Sequence, residues 1–311
     1  MFNRTTMSDF LLLEFSEVWE LQFLHFTVFL MVYLATLIGN LLIISSVALD
    51  HHLHTPMYFF LMILAVQDLG QVSVIIPKSM INSLMNTRHI SYSGCVAQVF
   101  LFIFFMTSDL CILTVMAYDR YVAICNPLRY DMVINSPACM EMLAGVWFAS
   151  FLYAGMHTRG TFATHFCSNI INHFFCEIPQ LIKLTCSDPN LIEITTIGVG
   201  VVLGLGCFVY ILVTYVHIFT TVLRLPSAKG RQKAFSTCIP HLIVVSTFLF
   251  TGSAAYLKPV SNTPLWQELI FTVIYALVPP MLNPVIYSIR NKEIQKAMSK
   301  VLGFRSFYRN T

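Results

Sequence analysis

Three acids and one base sit where this sequence otherwise avoids charge. Asp68 and Asp109 each fall in the middle of a long apolar run, and Asp119 is followed at once by Arg120 in MAYDRYVAIC at 116–125. A carboxylate at hydrocarbon depth is costly enough to mark a functional site. Neither Asp68 nor Asp109 has a Lys or Arg close in sequence, and together they suit a small polar site holding water, a sodium ion or a shared proton. The plainer alternative is hydrogen bonding between neighbouring helices. At ~100° per residue, the eleven steps from Asp109 to Arg120 end about 20° past three whole turns, so both project from nearly one helix face. Phe102, Met106, Leu113 and Met116 lie along the same stripe. An exposed pair such as Asp119 with Arg120 is worth little. Partly buried, it can act as a latch that a conformational change releases; an anchor at the membrane interface would use the same residues.

Cysteines form a second group. Cys111, Cys125, Cys139, Cys207 and Cys238 lie in or beside apolar runs and read as small buried residues. Cys95, Cys167, Cys176 and Cys186 fall together on one side, where an even number in an oxidising compartment predicts two disulfides. Four cysteines allow three connectivities, and spacing does not choose among them. A bridge from Cys95 would tie the long loop 158–190 over the helices as a lid. His165 and His173 lie nearby, but the cysteine spacing matches no familiar zinc pattern. Proline supplies the third group: LVPPMLNPVIYSIRN places Pro279, Pro280 and Pro284 inside an apolar run, which removes backbone donors and predicts a bend, with Asn283 able to serve the freed carbonyls.

The elements that must position these residues follow from composition. Hydrophobic residues make up 57% of the 311 and charged ones 11%, well outside the range of soluble proteins. Seven runs, roughly 23–49, 57–83, 94–124, 138–157, 191–223, 234–257 and 266–289, each reach the ~20 residues that a membrane-crossing helix needs. They are too long, and lack the alternation, for barrel strands. The expected fold is therefore an all-α membrane protein, a seven-transmembrane helix bundle. NKEIQKAMSKVL then sets Ile294, Met298, Val301 and Leu302 against Lys292, Glu293, Lys296 and Lys300, the pattern of a short amphipathic C-terminal helix on the membrane surface.

With the N-terminus outside, twelve of the basic residues fall on the cytoplasmic side and six on the other, so the positive-inside rule selects that orientation. The expected organisation is an extracellular N-terminus over 1–22, a seven-transmembrane domain over 23–289 and a cytoplasmic amphipathic helix and tail over 290–311. The first 22 residues do not have the form of a cleavable signal peptide. Asn3-Arg4-Thr5 fits the N-glycosylation pattern. A net charge of +3 without a basic, aromatic-interleaved stripe points to the lipid bilayer or an acidic partner and away from nucleic acid. No internal repeat of the transporter kind is visible.

Five segments in this order, GNLLI at 39–43, LHTPMYFFL at 53–61, MAYDRYVAICNPLRY at 116–130, KAFSTCIPHL at 233–242 and PPMLNPVIYSIRN at 279–291, closely resemble the olfactory receptors, a branch of the rhodopsin-like G-protein-coupled receptors. The resemblance covers almost the whole chain. It implies a plasma-membrane receptor, not an enzyme and without a cofactor, that binds small volatile molecules and activates a stimulatory heterotrimeric G protein to raise cyclic AMP. Carried over by position, Asp119, Arg120 and Tyr121 form the switch, Tyr215 and Tyr287 reorganise toward Arg120, and Asn283 and Pro284 form a hinge. Asn40, Asp68 and Asp109 are the polar network, and His241 belongs to the start of the moving sixth helix. The resemblance also implies Cys95–Cys176 and Cys167–Cys186 bridges, with Cys95–Cys186 as the runner-up. Departures from the family pattern are Thr214 before Tyr215 in place of Ser, Asp109 in place of Glu, and Leu249 in place of a frequent Tyr.

Helical spacing and family position together predict a ligand pocket lined by Phe102, Ile103, Met106, Thr107, Val199, Leu203, Leu249, Ser253 and Tyr256. A mostly apolar wall with a few hydroxyls suits neutral odorants. The rival reading is an ion-conducting or transporting protein that uses Asp68 and Asp109, which needs a polar path continuing past Leu113 and Met116. A membrane enzyme is the weaker rival, because neither acid sits in a recognisable catalytic motif.

Overall fold

The structure, a computed structural model, describes residues 9–13, 18–85, 87–186, 191–224, 227–256 and 265–303, except for the side chains at 233, 237, 251–256, 265–269, 289 and 290. Asn3 lies outside them, as do most of the N-terminal segment and the end of the tail. Seven helices are long and apolar enough to cross a membrane. They are α1 (Trp19–Leu49), α2 (Pro56–Met85), α3 (Tyr92–Cys125), α4 (Ser136–Phe162), α5 (Leu191–Leu223), α6 (Ala228–Tyr256) and α7 (Leu265–Arg290), followed by the short α8 (Lys292–Val301). The helices start where their N-terminal amides find side-chain acceptors. Ser91 Oγ accepts from Gly94 N at 3.1 Å, Asn135 Oδ1 from Ala138 N at 2.9 Å and Ser227 Oγ from Gly230 N at 3.2 Å. Asn291 caps α8 by accepting from Glu293 N and Ile294 N at 3.0 and 3.3 Å.

Two compact units divide the chain, with boundaries inside α1 to α5. The first contains Met1–Leu34, Gln71–Thr107 and Phe148–Leu203. Beside its helices it contains a small sheet of β1 (Asp9–Leu12), β2 (His89–Ser91) and β3 (Ile170–Ile171), with β1 in the centre. β1 pairs antiparallel with β2, Phe10 opposite Ile90, and parallel with β3, Leu11 opposite Ile170. The N-terminal segment thus contributes a strand, and α1 starts at Trp19, four residues before the expected span. Phe10 is fully buried, stacked on Tyr92 with ring centroids 5.9 Å apart and edge-on to Phe166 at 5.4 Å. Disulfides join Cys95 to Cys176 and Cys167 to Cys186. Gln98 holds the loop from α3, accepting from Cys176 N at 2.8 Å while donating to Val74 O at 2.9 Å.

The second unit contains Ala35–Gly70, Ser108–Trp147 and Gly204–Thr311, and its core joins Ile43, Phe60, Leu64, Ile112, Met116, Ile218 and Val245. A Cβ on Gly39 would come within 2.9 Å of Pro284 Cβ, so this glycine permits close approach of α1 and α7. α8 is tied down at both ends. Asn291 Nδ2 donates to the Tyr58 hydroxyl at 3.2 Å, and Lys300 Nζ donates to Asp50 Oδ2 at 2.7 Å, which holds that carboxyl below its usual range.

Because Phe10 packs on all sides, Phe10→Ala is expected to lower the melting temperature of the purified protein, with truncation of a core Phe costing ~3–5 kcal/mol. Scanning fluorimetry checks this, and an unchanged transition would show that β1 adds no stability.

Candidate functional site

Asp119 and Arg120 are consecutive on the last turns of α3, and their side chains meet: Arg120 Nη2 donates to Asp119 Oδ2 at 2.7 Å. Asp119 is 1% exposed and Arg120 11%, so the pair is screened from water rather than lying open at a surface. The second carboxylate oxygen accepts from the Tyr130 hydroxyl at 2.7 Å. Burial and the adjacent Asp119 carboxylate push the Tyr130 phenol above its ordinary value, so Tyr130 stays a proton donor at neutral pH. Tyr130 opens the one-turn helix Tyr130–Val133 between α3 and α4. The latch is therefore a three-residue clasp in which Asp119 is held by a cation and a phenol.

Tyr215 and Tyr287 are buried on sequence-distant helices and share no hydrogen bond with this clasp among the described residues. The Tyr215 hydroxyl shares a 2.7 Å hydrogen bond with His241 Nδ1, and His241 Nε2 meets the Leu113 carbonyl at 2.9 Å. This chain joins α5 to α6 and α6 to α3. The Tyr287 hydroxyl has no hydrogen-bond partner among the described residues. Tyr121 is half-buried and edge-on to His217, with ring centroids 6.2 Å apart.

In α7 the absence of an N–H at Pro284 frees the Pro280 carbonyl four residues earlier. Asn40 Nδ2 donates to that carbonyl at 3.1 Å, so α1 repairs the gap in α7. Asn283 turns the other way, its Nδ2 donating to both oxygens of Asp68 at 3.2 and 2.9 Å. Asp109 is served from α2: Gln67 donates to Asp109 Oδ1 at 2.6 Å, while its amide oxygen accepts from the Ser108 hydroxyl and from Trp147 Nε1, the latter at 2.9 Å. Both acids are almost fully buried and receive their donors from neutral amides. No cluster of three or more His, Cys, Asp or Glu side chains that could hold a metal occurs among the described residues.

Leu113 and Met116, beyond Asp109 on α3, are 1% and 3% exposed within the core, so the polar stripe closes there and gives the ion-path reading no continuation. Of the predicted pocket residues, Phe102 and Ile103 are buried, Phe102 edge-on to Phe175 with centroids 5.4 Å apart. Met106, Thr107 and Leu249 are half-buried. Val199 and Leu203 are 39% and 54% exposed, which places them on an outward face of α5. The side chains of Ser253 and Tyr256 lie outside the described residues.

A family description, olfactory receptor, matches residues 29–304. Human olfactory receptor 14C36 is 48% identical over 98% of this chain and 98% of its own length, and human olfactory receptor 14I1 is 50% identical over 96% of each. The chain belongs to the olfactory receptor family. Squid rhodopsin superposes with a TM-score of 0.76 at 19% identity, over 94% of this chain and 85% of that one, and shows the same seven-transmembrane fold. This olfactory receptor is thus a multi-pass membrane receptor of the G-protein-coupled class that responds to small molecules and catalyses no covalent reaction.

Tyr130, Gln67, Ser108 and Trp147 were not among the residues singled out from the sequence. A signal for two of them was present: Gln67-Asp68 and Ser108-Asp109 are polar pairs in otherwise apolar helices, and each acid's neighbour helps to satisfy Asp109. Tyr130→Phe removes one donor from Asp119, a bond to a charged group worth ~1.5–3 kcal/mol and so enough for a roughly tenfold shift between two states. The expected result in this olfactory receptor is higher ligand-independent G-protein activation per receptor at the surface. Unchanged or lower basal output would show that the phenol does not restrain the clasp.

Proposed function

We propose that this olfactory receptor resides in the plasma membrane with its N-terminus outside, binds small, mostly neutral hydrophobic odorants against α3, and activates a stimulatory heterotrimeric G protein to raise cyclic AMP. The observation that carries the signalling half is the clasp: Arg120 sits at the end of α3 with its guanidinium occupied by Asp119. A fork of donors held by an internal acid is a group that release would make available to a partner. Twelve basic residues on the side assigned to the cytoplasm support this orientation and suit an acidic partner surface there.

The ligand half rests on Phe102, Ile103, Met106 and Thr107, successive positions on two turns of α3 that combine apolar area with one hydroxyl. Leu249, Ser253 and Tyr256 of α6 are carried forward as further proposed ligand-binding residues; the exposed Val199 and Leu203 are left out. Tyr121, Tyr215, His241, Asn283, Pro284 and Tyr287 make up the proposed relay, with Tyr215 exchanging His241 for the neighbourhood of Arg120 on activation. Asn3 is the proposed glycosylation site.

Arg120→Ala is expected to abolish odorant-stimulated cyclic AMP while surface labelling of an N-terminal epitope on intact cells remains. Normal cyclic AMP from that variant contradicts the clasp, and an epitope reached only after permeabilisation contradicts the orientation. In a screen of volatile compounds against the expressed receptor, Met106→Ala and Ser253→Ala are each expected to shift potency about tenfold, the effect of losing a good apolar or hydrogen-bond contact. Unaltered potency in both would remove the proposed pocket.

A further inference from the structure

We propose that His157 and Glu193 form a pH-sensitive clasp at the neck of the loop 163–190, tight when His157 carries a proton and looser when it does not. The loop leaves α4 at Phe162 and enters α5 at Leu191. His157 lies between one and two turns before the first point and Glu193 within the first turn after the second, so a contact between them closes the loop at its base. His157 Nδ1 lies 3.0 Å from Glu193 Oε1, and the two side chains are only 10% and 1% exposed. The other carboxylate oxygen accepts from the Thr161 hydroxyl at 3.2 Å.

The helices are built to meet here. A Cβ on Gly160 would come within 2.5 Å of Glu193 Oε2 and 3.3 Å of its Cα, so a larger residue would push α5 away from α4. Tyr153, one turn before His157, sets its ring edge-on to the imidazole with centroids 5.4 Å apart. Its hydroxyl occupies the space that Gly200 leaves open and donates to the Thr196 carbonyl at 3.4 Å. His157 is thereby held between a phenol ring and a carboxylate, and its charge decides how strongly it holds the latter. A neutral imidazole offers Glu193 at most a dipole. A protonated one offers a full charge at 3.0 Å in surroundings that screen weakly, and a charge-assisted hydrogen bond is roughly twice as strong as a neutral one.

Histidine is the side-chain type that ordinarily changes charge between pH 5 and 8. The other titratable or charged groups on the adjoining segments, among the described residues, are Tyr153 and Arg159 of α4, Tyr92 at the start of α3, and His165, His173, Glu177 and Lys183 of the loop. Arg159, His165 and Lys183 are exposed, the Tyr92 hydroxyl donates to the Phe162 carbonyl at 3.4 Å, and His173 is buried 3.8 Å from Glu177 in the middle of the loop's sequence. His165 and His173 are thus the rival proton acceptors that a test has to separate from His157.

What the neck holds is a lid. From it the loop runs to Phe175, edge-on to Phe102 of the proposed ligand wall, and to Cys176, bonded to Cys95 of α3. Cys167 N donates to Leu184 O at 2.8 Å and Cys186 N to His165 O at 2.9 Å, and the Cys167–Cys186 disulfide lies between them, which ties the two sides of the neck to each other. His157 and Glu193 fix that neck to the helix pair. Acidity on the loop's side of the membrane therefore sets how firmly the lid is held. Which compartment that is rests on the orientation proposed above; the test below, with both faces open to one buffer, does not.

The test is hydrogen exchange read by mass spectrometry on the full-length receptor in phosphatidylcholine nanodiscs, at pH ~6 and ~8 on either side of histidine's usual titration, with labelling times scaled for the intrinsic effect of pH on exchange. Amides over 159–164 and 193–198 are expected to be roughly five- to tenfold better protected at the lower pH, the difference between a charged and a neutral hydrogen bond. His157→Asn keeps an N–H donor but does not titrate, and Glu193→Gln removes the charge it would meet; each is expected to abolish the difference, while His165→Gln keeps it. If the first two variants fail to fold, the place of the difference in the unaltered receptor, together with His165→Gln, decides. Equal protection at both pH values, a difference centred on 170–177 beside His173, one lost in His165→Gln, or one that survives both His157→Asn and Glu193→Gln would each overturn the proposal.

Discussion

A carboxylate taken out of water has to be given proton donors, and in a helix bundle most of those donors come from other segments of the chain. Asp68 receives the Asn283 amide, Asp109 the Gln67 amide, and Asp119 both Arg120 and the Tyr130 phenol. Glu193 at the start of α5, 1% exposed, accepts from the Thr161 hydroxyl at 3.2 Å and lies 3.0 Å from His157 Nδ1. Each acid therefore ties together segments that hydrophobic packing alone would leave free to slide, since lipid is as apolar as a leucine side chain. Such ties are specific without being permanent. A carboxylate can exchange one donor for another, whereas a lost apolar contact leaves a void.

The same demand explains why the prolines of α7 are tolerated. Pro284 withdraws a backbone donor, and Asn40 of α1 answers at the orphaned carbonyl, with Gly39 beside it allowing the helices to approach. The bend is held by a side chain from another helix, and a held bend can be released. His241 plays the corresponding part on α6, linking the Tyr215 hydroxyl to the Leu113 carbonyl. Clasp, bend and bridge are three local arrangements in the second unit, each held by side chains from more than one segment.

Much of this was legible in the sequence because membrane insertion writes itself in runs of apolar residues. The seven helices agree with the apolar runs to within a few residues at most ends, and the amphipathic α8 follows from the spacing of Ile294 and Met298 against its lysines. The sheet was not legible. β1 is four residues, Asp9–Leu12, pairing with partners about 80 and 160 positions away, and no local period marks such a strand. Within the site, helical phase put Asp109 and Arg120 on one face of α3, but it could not show that Gln67 supplies a donor to Asp109 or that Tyr130 supplies one to Asp119. Contacts between helices depend on how each is rotated, and two of the predicted pocket residues, Val199 and Leu203, turned outward for that reason.

On the proposed mechanism the receptor has two arrangements, separated by release of the Arg120 clasp. Spin labels on the cytoplasmic ends of α3 and α6, read by double electron–electron resonance, test it most directly. One short distance is expected in the unliganded protein, a longer one when an agonist and G protein are both added, and a share of the longer distance without agonist once Asp119 is replaced by Asn. A single unchanged distance under all three conditions would contradict it.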